Sequence, residues 1–271
     1  LLLANYEFNK YKTDSEMKQI LNKISIIFNE DITDILEFVT VEVQAVDFAR
    51  NLINEPGSYM TPERLAKIAG QYDKIKTNVY DKGKIEKFGM GAFLAVGRRG
   101  KNEPKLIHLQ YKPRKASKKI AIVGKGITFD SGGLDIKPAA SMKNMHGDMA
   151  GAASGLAIFK ALEILKPNIE VHGVIAACEN MSGCDAYKPG DILTAMNGKT
   201  IEVDNTDAEG RLTLADALCF AEKLGVDEII DIATLTGACC VALGSVASGL
   251  FSNDKLLAER LKTSAEKAGE Y

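Results

Sequence analysis

Two short segments limit how this chain can fold: Val123-Gly-Lys-Gly-Ile-Thr-Phe-Asp-Ser-Gly-Gly133 and Asn205-Thr-Asp-Ala-Glu-Gly-Arg-Leu212. They carry Lys125, Asp130, Asp207, Glu209 and Arg211 on glycine-rich turns, with Lys137 and Asp148 between them in sequence. Four carboxylates and three cations are costly to bury unless something pairs them. Glycine lets the backbone turn sharply and approach a ligand closely, so both segments suit the rim of a site.

Around them the chain alternates between helical and strand patterns. A long amphipathic helix is expected from about Ile32 to Ile53, its apolar residues Ile35, Phe38, Val41, Ala45, Phe48, Ala49 and Leu52 recurring at helical spacing. Asn54-Glu-Pro-Gly57 breaks it, and Thr61-Pro-Glu opens the next helix with a cap and a first-turn proline. Lys105 to Tyr111, Lys119 to Val123, Glu170 to Cys178 and Glu228 to Ile232 read as strands, and Gly151 to Leu165 and Leu212 to Leu224 as helices. This order predicts an α/β fold, a mostly parallel or mixed sheet with helices on both faces. Ligands in such folds collect at the carboxyl ends of strands, where Lys125, Asp130 and Thr234 fall. The first thirty residues read as a helix, a polar loop and a short apolar strand, Ile24–Phe28.

Read as an extended segment, Asp207-Ala-Glu-Gly-Arg211 projects Asp207, Glu209 and Arg211 together, with Arg211 at the mouth of the following helix. The helix amides there favour an anion. Lys125 follows an apolar strand and is expected to be buried. Beside divalent cations its pKa would fall, leaving a neutral amine able to act as a ligand. Asp130, Asp148, Asp207 and Glu209 then match two divalent ions in charge, leaving Lys137 and Arg211 for a polarised carbonyl or a bound anion. Each residue alone also has an ordinary surface reading. No P-loop pattern is present.

These motifs resemble the leucyl aminopeptidase (cytosol aminopeptidase) family of dinuclear metallopeptidases. The likeness is carried by the octapeptide Asn205–Leu212, by Gly124–Pro138, Asp148–Ala153 and Ala233-Thr-Leu-Thr-Gly-Ala238, and less strongly by Leu2–Tyr6, Ala49–Asn54 and Phe88–Gly91. The resemblance implies that Asp130 and Glu209 bridge two metal ions. Lys125 and Asp148 complete the tighter site, and Asp207 the more exchangeable one. Lys137 would polarise the scissile carbonyl, and Arg211 would hold a bicarbonate near the reacting water. Met145, Thr234 and Gly237 would line the pocket for the first side chain. Zinc or manganese fits the mixed Asp/Glu/Lys donors, with magnesium possible. The expected activity is release of N-terminal residues from peptides, in the cytoplasm, by a homohexamer. The resemblance further implies that residues 1–30 are the tail of a preceding α/β domain. Residues 31–271 would be the catalytic domain, lacking its C-terminal end.

The chain departs from the family at His146, where lysine is usual, and at Gly97-Arg-Arg-Gly100, where a Gln-Gly-Ser run is more common. His146 reads as structural rather than as a ligand. Only three histidines exist, without an H-E-x-x-H or Ser/His/Asp grouping; His108 and His172 fall in strands and read as structural. Five cysteines without a CxxC pair read as small buried residues. With 271 residues, 46% of them hydrophobic, the chain can bury a full core. Its net charge of −2 gives no general attraction to nucleic acid or membranes. The basic run Lys112-Pro-Arg-Lys-Ala-Ser-Lys-Lys119 is the one feature for a second, nucleic-acid-binding role; without interleaved aromatics it reads as a solvated loop.

Overall fold

Apolar residues on alternate positions of three strands feed two separate cores, one on each face of a sheet. The computed structural model describes residues 2–13, 21 and 23–270. The chain forms two compact units, Leu1–Thr234 and Leu235–Tyr271. In the first, the order is α1 (Thr33–Ile53), α2 (Pro62–Ala69), β1 (Lys76–Tyr80), α3 (Lys82–Lys87), α4 (Gly91–Val96), β2 (Lys105–Tyr111), β3 (Lys119–Asp130), α5 (Ala139–Met142), α6 (Ala150–Leu165), β4 (Glu170–Asn180), β5 (Ile192–Thr194), β6 (Thr200–Glu202), α7 (Glu209–Lys223) and β7 (Glu228–Ile232). The second carries α8 (Gly237–Leu243) and α9 (Lys255–Ala268).

The sheet runs β1-β2-β4-β3-β7. β3 is parallel to β4 and β7, while β2 is antiparallel to β1 and β4, so the sheet is mixed. Ile107, Leu109, Ile122, Val171 and Ile175 pack on one face with α1, α2 and α6. Leu106, Ala121, Val123, Val174 and Ala176 pack on the other with α4 and α7. β4 is buried along its whole length, as a central strand covered on both faces must be.

Local chemistry sets the ends of the elements. The Thr61 hydroxyl accepts from the Arg64 amide and Pro62 fills the first helical position of α2. α6 stops at Lys166, which takes a left-handed φ of 46° before Pro167. In the second unit, Asp254 accepts from the Leu256 and Leu257 amides to open α9.

Four expectations need correction. Ile24–Phe28 forms no strand; these residues are irregular and largely exposed, with no partner strand among the described residues. The expected N-terminal helix is a single 3-10 turn, Leu3–Asn5, among the described residues; residues 1, 14–20 and 22 lie outside them. β3 runs on to Asp130 rather than ending at Val123, because Gly124 to Asp130 continue pairing with β4. Finally, only Cys178 and Cys219 are buried, whereas Cys184 and Cys240 are exposed.

Candidate metal centre

The extension of β3 places the site. In a regular strand Lys125 and Asp130, five apart, would face opposite sides. The β3–β4 register shifts between Ile127 and Phe129, a bulge that inserts one extra residue and brings Asp130 back to the side of Lys125. β7 ends at Ile232, opposite Gly124, so β3 projects beyond it. Thr234 follows β7 there, and its carbonyl accepts from the Lys125 ammonium at 3.0 Å.

Two lysines each bridge a pair of carboxylates. Lys125 Nζ lies 2.8 Å from both Asp148 Oδ1 and Glu209 Oε1. Lys137 Nζ lies 2.9 Å from Asp130 Oδ2 and 2.6 Å from Asp207 Oδ1. Lys125, Asp130, Asp148 and Glu209 are buried, and the Asp207 side chain is 33% exposed. Oxygens of Asp130, Asp207 and Glu209 lie within 4.8 Å of one another, close enough to share an ion.

Burial and charge set the protonation here. Burial pushes Glu209 up, to about 7; Lys125 pulls it down, while Asp130 and Asp148 add to the rise. Asp148 is raised mainly by burial, against Lys125 and Thr234. Burial works against the charged form of Lys125, but Glu209 and Asp148 outweigh it and hold the ammonium above its ordinary range. The depressed, neutral amine expected from the sequence therefore does not arise from the protein's own groups. Only cations able to displace the ammonium from its carboxylates would produce it. Lys137 is raised in the same way, Asp207 and Asp130 overcoming its burial.

The site passes a test of fit for divalent ions. Asp148 Oδ2 and Glu209 Oε2 are buried without a hydrogen-bond partner, and Asp207 Oδ1 meets Lys137 without hydrogen-bond geometry. Orphaned buried oxygens each cost about 1–3 kcal/mol, and cations would satisfy Asp148 Oδ2 and Glu209 Oε2. Oxygen donors with one amine suit zinc or manganese better than magnesium, which prefers oxygen alone.

One element differs from expectation in a way that matters for Arg211. The segment from Asp207 to Arg211 is not extended, because α7 begins at Glu209. Glu209 and Arg211, two apart on a helix, point to different sides: Glu209 is 1% exposed and Arg211 is exposed. Gly210 sits against Lys125. A Cβ there would lie 2.7 Å from Lys125 Cε, so only glycine lets the amine reach both carboxylates without displacement.

Met145 opens a 3-10 turn, Met145–Gly147, that includes His146 and leads to Asp148. The Thr234 hydroxyl donates to Asp148 Oδ1 at 2.8 Å. Gly237 opens α8 in the second unit. His108 and His172 are buried in β2 and β4, 2.9 Å apart, as structural residues. The basic run forms the β2–β3 connection. Lys112 lies 3.7 Å from Glu170, and Lys118 is paired with Glu228.

Asn180, Thr206, Asp135 and Tyr187 have no assigned role in the sequence reading. Asn180 donates to Asp130 Oδ1 at 2.8 Å, and Thr206 is fully buried between the two carboxylate-bearing turns. The available signal was position: Thr206 lies inside the octapeptide and Asp135 inside the Gly124–Pro138 segment.

Comparison with known proteins identifies the family. The catalytic-domain description of the cytosol aminopeptidase family matches residues 47–271. A probable cytosol aminopeptidase of Persephonella marina is 46% identical over 100% of this chain and 56% of its own length. Those of Aquifex aeolicus and Clostridium tetani are 47% and 46% identical over 99% and 100% of the chain. The chain spans about half the length of these relatives, 55% and 58% for the latter two. Among the described residues, no helix is long and apolar enough to cross a membrane. The carboxylate–lysine cluster lies within the matched region, and on that match the chain belongs to the cytosol aminopeptidase family.

Proposed function

We propose that the protein is a metal-dependent aminopeptidase that hydrolyses the N-terminal bond of peptides. The observation that carries this reading is the pair of lysines, each bridging two carboxylates, beside two buried carboxylate oxygens without a hydrogen-bond donor. Asp130 and Glu209 would hold both ions, with Lys125 and Asp148 completing one site and Asp207 the other. Bound there, two divalent ions would lower the pKa of the attacking water and polarise the carbonyl.

Lys137 then has a second task. Once Asp130 and Asp207 are engaged elsewhere, its ammonium is free to donate to the carbonyl oxygen as charge develops on it. Asp148, held by Thr234, receives the free α-amine of the substrate, which an internal peptide bond lacks. Arg211 sits in the first turn of α7, where the helix dipole disfavours a cation, so it gains little there as a structural residue. It is suited to holding a bicarbonate that accepts a proton, in a site with no histidine placed for that role. Met145 and Thr234 would bring no charge to the pocket for the first side chain, which favours apolar first residues such as leucine. A homohexamer is the proposed assembly.

The test is release of leucine from a leucyl dipeptide by metal-loaded full-length protein, beside Glu209→Ala and Lys137→Ala. Turnover should require a free N-terminus and divalent metal, and fall at least a hundredfold in both variants. No turnover with two ions bound would overturn the reading. Sedimentation at about six chain masses would support the hexamer.

A further inference from the structure

We infer that Asp135, Thr206 and Asn180 form a latch that holds the two carboxylate-bearing turns together before any ion arrives, making Asp135 and Thr206 positioning residues for the metal centre. The inference rests on the metal-dependent reading above and extends it to residues outside the ligand set.

The turns need holding. Asp130 ends β3, while Asp207 and Glu209 come from the turn into α7, and their oxygens lie within 4.8 Å. Three like charges at that distance push the segments apart when nothing divalent lies between them. Lys137 on Asp130 and Asp207, and Lys125 on Glu209, offset part of this, but both ammonium groups must leave those carboxylates when they take up ions.

Thr206, adjacent to Asp207 and 0% exposed, uses every polar group it has on the opposite turn or on Asn180 and Tyr187. Its amide donates to Asp135 Oδ2 at 2.7 Å, and its hydroxyl accepts from the Asp135 amide at 2.8 Å. The hydroxyl proton goes to the Gly132 carbonyl at 2.7 Å. Its carbonyl accepts from Tyr187 Oη at 2.6 Å and from Asn180 Nδ2 at 3.0 Å. The other Asn180 amide proton reaches Asp130 Oδ1 at 2.8 Å, and the Asn180 carbonyl accepts from the Ser131 amide and hydroxyl. A closed circuit thus runs from Asp130 through Asn180 and Thr206 to Asp135 and back along the Gly132 turn. Gly132 takes a φ of +88°, and a Cβ there would lie 2.4 Å from the Asp135 carbonyl, so the turn closes only with glycine.

Asp130 is the one ligand in the circuit; Asp135, Thr206 and Asn180 are not needed as ligands. Asp135 is itself exposed, so removing its carboxylate unpairs the Thr206 amide but takes nothing from the apolar core. The circuit therefore gives a preformed site, and ions bind without the entropy cost of ordering two loops.

The experiment is calorimetric titration of metal-free full-length protein with Zn²⁺ or Mn²⁺ alone, comparing wild type with Asp135→Ala, Asp135→Asn, Thr206→Val and Thr206→Ser. Asp135→Ala and Thr206→Val should bind ions 10- to 100-fold more weakly, the range for partners that orient ligands. Asp135→Asn and Thr206→Ser, which keep an acceptor and a hydroxyl, should stay within about threefold of wild type. Excess metal should restore kcat in Asp135→Ala with KM unchanged, since the ligands themselves are intact. The latch is refuted if Asp135→Ala, folded by circular dichroism, binds two ions as tightly as wild type. It is equally refuted if Asn and Ser fail to rescue. Wild type binding no divalent ion would instead refute the metal-dependent reading itself.

Discussion

Glu209 is the residue where burial and function conflict most directly. It is almost fully buried and its carboxyl is held at about 7, mainly by burial. An ion needs the carboxylate, so below pH 7 it must displace a proton. Proton release on metal binding should therefore grow as pH falls through 7, and affinity should fall with it. Calorimetry in buffers of different ionisation enthalpy at pH 8 and pH 6 checks this, and equal release at both would contradict it. Gly210 gives a second prediction at this scale. Gly210→Ala would press a methyl against Lys125 Cε and Nζ, the flexible end of that side chain. Stability should change by only about 1 kcal/mol, while metal affinity should drop tenfold or more because the amine is moved off Asp148 and Glu209. Thermal melts and metal titrations on the same sample separate the two effects.

Among the elements, α4 depends on a distant carboxylate. Asp216, in α7 and fully buried, accepts from the Phe93 amide at 2.8 Å in the first turn of α4 and from the Met196 amide at 2.7 Å. Asp216→Ala leaves both amides unpaired and should cost about 3 kcal/mol in urea unfolding, with Asp216→Asn costing less. The facing pair on β2 and β4 gives a pH prediction. His108 is held down to about 4, first by burial and then by His172 and Lys76, and His172 is lowered by burial as well. The unfolded chain takes up these protons at a higher pH than the folded one does. Stability from this pair is thus fully present above about pH 6.5 and lost as pH falls towards 4. The loss, on the order of 2 kcal/mol, should be largely absent from His108→Gln. Unfolding free energies at pH 7.5 and pH 5 for both proteins test the difference.

For the whole molecule, the cluster trades stability for a place to bind cations. Two ammonium groups face four carboxylates, leaving a surplus of negative charge in a mostly buried site. Metal loading should raise unfolding stability by about 4 kcal/mol when free ion exceeds Kd a thousandfold. Chelation should reverse this, lowering the melting temperature in wild type but not in Asp130→Asn. An unchanged melt after chelation of a metal-loaded sample would argue against ions at this cluster.

Much of the site was legible because its residues lie in short runs. Lys125, Asp130, Asp148, Asp207 and Glu209 could be picked out by charge, glycine content and position after strands, and the structure brings all five together. The α/β order of strands and helices followed from hydrophobic period, which is a local property. Three things were not local. The bulge that turns Asp130 to the side of Lys125 exists only through pairing with β4. The start of α7 at Glu209 overrode an alternation that suited an extended segment equally well. The protonation of Lys125 depends on two carboxylates delivered by chain 23 and 84 residues away (148 − 125 and 209 − 125). The sequence by itself determined which side chains could hold an ion and which fold class could gather them. The tertiary structure decided how they face one another, and which neutral neighbours hold them there, because register, burial and charge coupling arise only when distant segments pack.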